Sequence, residues 1–161
     1  MSAYITLPTP MTDEALLLAA IGICCPHASQ WQSMATPVAL RGWQAGRTAH
    51  VVLRKEVSAD RYNDIGFLAG PTGYIAVLSD DHGYYNRAWL SRVHASYASL
   101  ATVRAAQQAE AERRLEAERK RQLVEAQRLA VVAKARKLGY QVQEHREGAA
   151  VRLVLVKRTY A

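Results

Sequence analysis

Two short clusters in the chain carry residue types able to do chemistry. Cys24, Cys25 and His27 lie close together, and thiolates with an imidazole are ligands that zinc prefers. A tetrahedral site needs a separated second pair, whereas His50, His82 and His94 stand singly along the chain. A buried thiol pair beside a surface histidine is the stronger reading. Asp80, Asp81 and His82 form the second cluster. Paired carboxylates work as general acid and base only when their surroundings shift a pKa. Set in a turn before a helix, these are better suited to capping exposed amides. No glycine-rich phosphate loop, nucleophile elbow or metalloprotease helix is present. The expectation is a chain with no catalytic, cofactor-binding or metal-binding site.

A third group is electrostatic. Arg113, Arg114, Arg119, Lys120 and Arg121 could engage the phosphates of a nucleic acid, or a protein partner. Glutamates are interleaved among them, they fall on more than one helical face, and no aromatic side chain is nearby to stack on bases. The same stretch pairs unlike charges at helical spacing: Glu110 with Arg114, Glu116 with Lys120, Glu118 with Arg121. Each such pair contributes about 0.2–0.5 kcal/mol to an isolated helix. A solvated spacer is the plainest reading, followed by a protein-contacting coiled coil whose apolar seam is sparse. Phosphate binding comes third. The formal net charge of +7 keeps anionic partners in view.

The elements that carry these residues are legible. Between Tyr84 and Leu138 there is neither glycine nor proline, and 104–128 is almost wholly Ala, Glu, Gln, Arg, Lys and Leu. This predicts one helix of about 50 residues, about 75 Å long. Its first part bears an amphipathic stripe, Leu90, Val93, Tyr97, Leu100 and Val103, suited to packing on a sheet. Gly139 supplies the stop, with Arg136 and Lys137 favourable at the negative end of the dipole. Before the long helix come a strand at Tyr4–Leu7, a short capped helix over Ala15–Ala20 and an irregular stretch from Cys24 to Thr36. Strands at Pro37–Trp43 and Ala49–Lys55 follow, then a hairpin, Ile65–Leu68 with Tyr74–Leu78, turning at Gly70–Gly73. A last hairpin, Tyr140–Glu144 with Val151–Lys157, closes around Gly148. The predicted class is α+β: an antiparallel sheet with one short N-terminal helix and one very long helix before a C-terminal β-hairpin. The predicted organisation is a body over 1–103, a charged helical extension over 104–138 and a hairpin over 139–161.

Cys24 and Cys25 are the only cysteines, and neighbours rarely bridge each other. With no disulfide framework, no long apolar run and no basic flank at the start, a soluble, cytoplasmic protein without a membrane partner is expected.

Several short motifs resemble an uncharacterised domain family encoded in plastid and bacterial genomes. They are Met1–Ser2, Arg41–Gly42–Trp43, Asp64–Ile65–Gly66–Phe67, Tyr74 with Asp80, and Tyr97–Ala98, closing with Gly139–Tyr140, Glu144 and Val151–Arg152–Leu153–Val154. Ala3 stands where the family commonly has histidine, and the long helix exceeds the family's usual length. Members are often encoded beside an AAA-type ATPase, so the resemblance implies an accessory or adaptor role. A long straight helix would also carry the last hairpin away from the first sheet. Its alternating Val151, Leu153 and Leu155 are therefore expected to dock on another chain, making a swapped or higher-order oligomer.

Overall fold

Backbone pairing joins the first part of the chain into five antiparallel strands. A computed structural model describes residues 4–25, 30–42, 46–58, 63–79, 83–148 and 150–157. The elements run β1 (Tyr4–Pro8), α1 (Glu14–Cys24), β2 (Gln32–Ala39), β3 (Thr48–Leu53), β4 (Ile65–Gly70), β5 (Gly73–Ser79), α2 (Arg87–Lys137), β6 (Tyr140–Glu147) and β7 (Ala150–Lys157). This is the α+β order expected from the sequence. The chain divides into two compact units, Met1–Ala106 and Gln107–Ala161, and α2 contributes to both.

In the first unit the sheet order is β1-β5-β4-β3-β2. Register places Val51 opposite Phe67 and Phe67 opposite Ala76, so these residues share one face. Onto that face pack Leu17, Ala20 and Ile21 of α1 and Trp89, Leu90, Val93 and Tyr97 of α2, all buried. Trp31 stacks on Trp89 with centroids 6.0 Å apart, and Tyr85 meets Trp89 edge-on at 5.0 Å. The amphipathic stripe thus begins one residue earlier than expected, at Trp89. It also ends sooner, since Val103 is 51% exposed. The opposite face holds a smaller cluster of Leu40, Ala49, Val52 and Val77.

Two glycines set this sheet. A Cβ at Gly66 would lie 2.5 Å from the Cβ of Ala49, so that glycine lets β3 close on β4. Gly73 has φ +143°, and a Cβ there would meet the Thr9 carbonyl oxygen at 2.3 Å.

The expected irregular stretch needs correction. β2 begins at Gln32, inside that stretch, and stops at Ala39 rather than reaching Trp43. Its side chains are mostly exposed, so apolar alternation could not mark it. Backbone pairing with β3 defines it, with a register shift between Ser33 and Val38 around Pro37. α1 runs past Gly22 to Cys24 because Ile21 and Cys25 still bury on the core.

In the second unit α2 continues unbroken to Lys137 and ends as expected at Gly139, with φ +82° and its N–H donated to Arg136 O at 3.0 Å. β6 and β7 pair antiparallel, Tyr140 opposite Lys157 through Glu144 opposite Leu153. Val132 and Ala135 of α2 are buried. One turn before them, Arg128 bridges Glu125 on its own helix and Glu144 on β6, both at 2.5 Å.

Candidate interaction surface

The two cysteines of the first unit help to hold it together. Cys25 is buried with its Sγ 3.0 Å from the Tyr85 hydroxyl, and Cys24 is half-buried with Sγ 3.3 Å from Ser96 Oγ. Burial, and then Cys25, push the Tyr85 phenol well above its usual range. The Cys24 carbonyl accepts from Trp89 Nε1 at 3.2 Å and from the Tyr84 hydroxyl at 2.9 Å. These cysteines therefore close the end of α1 onto the start of α2. His27, Asp80, Asp81 and His82 lie outside the described residues. His94 is exposed, and His50 Nδ1 accepts from Ala69 N–H at 3.1 Å. Among the described residues no group of three or more His, Cys, Asp or Glu could hold a metal.

Two polar centres in this unit carried no functional signal in the sequence. Asp64 is fully buried at the head of β4. Its carboxylate accepts from the backbone N–H of Lys55 at 2.8 Å and of Arg41 at 2.9 Å, and from Arg54 Nη1 at 2.7 Å and Arg41 Nε at 3.3 Å. Burial alone would raise its pKa, but these donors outweigh it and hold the carboxyl below the usual range. The second centre is the Tyr97 hydroxyl, which accepts from the N–H groups of Thr12 at 3.1 Å and Asp13 at 3.0 Å. Burial raises this phenol too, yet the backbone donors leave it below its ordinary value. Asp13 caps α1 by accepting from Leu16 N–H at 3.0 Å and also pairs with Arg104 at 2.7 Å. Both centres tie together segments separated in sequence.

A shallow cavity of about 260 Å³ opens between Thr12 and the β4–β5 turn, lined by Ala69, Gly70, Pro71, Gly73 and Tyr74. The Tyr74 hydroxyl donates to Glu14 at 3.0 Å, and its pKa is pushed up to about 12 by burial and then by Glu14. The polar side chains of this lining are the hydroxyls of Thr12 and Tyr74.

The second unit is different in kind. Val132 and Ala135 are its only buried hydrophobic residues among those described, while Leu115, Leu123 and Leu129 are 51%, 60% and 55% exposed. On β7, Val151 and Leu153 are half-buried, and Leu155 is 47% exposed. Val154 and Val156, on the other face of the strand, are exposed as well. Of the basic residues singled out from the sequence, Arg114 pairs with Glu110 at 2.5 Å and Lys120 with Glu116 at 3.0 Å. Glu118 accepts from Gln122 at 3.5 Å rather than from the expected Arg121. Arg113, Arg119 and Arg121 are exposed, and at 100° per residue the five basic side chains spread around the helix instead of forming one stripe.

No protein-family model, curated protein or solved structure matches this chain. None of the described helices is long and apolar enough to cross a membrane.

Proposed function

We propose that the protein is a non-catalytic adaptor or structural subunit, and that residues 107–161 are the surface through which it assembles. One contrast supports this reading. The first unit encloses a core of aromatic and aliphatic side chains, whereas among the described residues of the second two hydrophobic side chains are buried and others are half exposed. Full burial of a Leu or Val is worth about 1.5–3 kcal/mol, and a two-stranded hairpin is marginal in water. Such a unit gains most by being covered. The family resemblance supplies the kind of machine served, an AAA-type ATPase, and two cysteines without a disulfide suit a reducing cytoplasm.

A second reading, binding of nucleic acid through the helix, is favoured by residues 119–137, which carry seven basic side chains and one glutamate. One experiment separates the two: sizing the complex that tagged full-length protein forms in native extract, before and after nuclease. A complex that survives nuclease and is lost in a Leu123→Glu/Leu129→Glu variant fits assembly through protein. A complex abolished by nuclease and by moderate salt fits phosphate binding instead. A protein that elutes as a single chain overturns both.

A further inference from the structure

We propose that the occupant of this surface is a second copy of the same chain, laid antiparallel along α2 over residues 107–137. The proposal rests on the reading of the second unit as the assembly surface and names its partner.

Three observations converge on it. The first is charge polarity. Residues 107–118 hold four glutamates against two arginines, whereas 119–137 hold seven basic residues against one glutamate. A parallel partner would set the basic halves side by side. An antiparallel one sets each basic half against an acidic half and also opposes the helix dipoles favourably.

The second is the seam. Gln122, Ala126, Leu129 and Ala133 recur at the four- and three-residue spacing of a coiled-coil stripe, with Leu115 one heptad before Gln122. On a helix this line lies about 120° around from the buried Val132 and Ala135, so the hairpin does not occupy it. Alanines along the seam allow close approach of a second helix. With a two-fold axis at the level of residue 123, Leu115 of one chain falls between Leu129 and Ala133 of the other.

The third is the pair the axis creates. Glu112 and Lys134 lie on the same flank of the seam, and neither has an ion-pair partner among the described residues. Antiparallel pairing brings each Glu112 to the other chain's Lys134. Within one chain they are 22 positions apart, about 33 Å along the helix, too far to touch.

That separation makes the test decisive. Purified full-length protein, mixed from ordinary and nitrogen-15-labelled batches, is coupled with a zero-length carbodiimide and digested for mass spectrometry. A Glu112–Lys134 link joining differently labelled chains is expected. In parallel, Glu112→Lys should weaken self-association about tenfold, since each dimer holds two such pairs that turn repulsive. The charge-swapped Glu112→Lys/Lys134→Glu chain should recover it. A single-chain mass at every concentration overturns the proposal. If a nuclease-resistant complex persists in extract, the assembly reading stands with a different partner. Links only between like positions overturn it in favour of parallel pairing.

Discussion

Replacing Asp64 by alanine removes the buried anion on which three segments of the first unit converge. Two effects add. The guanidinium groups lose their partner, but the side chains of Arg54 and Arg41 keep 21% and 51% exposure and can turn to water. That limits this part to about 1–2 kcal/mol, below the 3–5 typical of a pair left wholly buried. The backbone N–H groups of Lys55 and Arg41 lose a charged acceptor, at about 1 kcal/mol each. Together the loss is about 3–4 kcal/mol. Trp31, Trp43 and Trp89, the three tryptophans, all belong to Met1–Ala106, so tryptophan fluorescence follows that unit alone. With a urea slope of about 1.5 kcal/mol/M, the midpoint should fall by about 2 M. Asp64→Asn, which keeps an acceptor oxygen and loses only the charge, should fall by about half as much. A shift below about 0.3 M for the alanine variant would refute the role given to this carboxylate.

The depressed pKa of Asp64 means its contribution is complete above the unfolded-state value near 3.8 and disappears as pH falls through the lower folded value. Urea midpoints of the parent should therefore drop across that acid window more steeply than those of Asp64→Asn. Tyr97→Phe leaves the Thr12 and Asp13 amides without their acceptor and should destabilise the first unit by about 1–2 kcal/mol, read from the same midpoint. Gly73→Ala forces an alanine into a left-handed conformation against the Thr9 carbonyl and should cost more than about 2 kcal/mol. Leu129→Glu, on an exposed helix face, should leave the fluorescence midpoint unchanged while reducing the solution mass.

Much of this fold could be read from the residues because local and tertiary demands agree. Apolar runs mark β3, β4 and β5, Gly70–Gly73 turns β4 into β5, and the long helix holds neither glycine nor proline to break it. β2 was hidden because an edge strand whose side chains are mostly exposed is defined by its backbone partner, which no local pattern announces. Asp64 and Tyr97 were visible as matched motif residues but not as organising centres. Their importance comes from amides that sequence places far away, Thr12 lying 85 positions from Tyr97. The exposed apolar side chains of the second unit were legible as letters. Their exposure was not, because it depends on how little the hairpin covers.

Sedimentation of the purified full-length chain across a wide concentration range tests the central claim most directly. The account predicts a mass that climbs from one chain to two, and a Leu129→Glu variant that stays at one. A parent protein that remains a single chain at every concentration would contradict it.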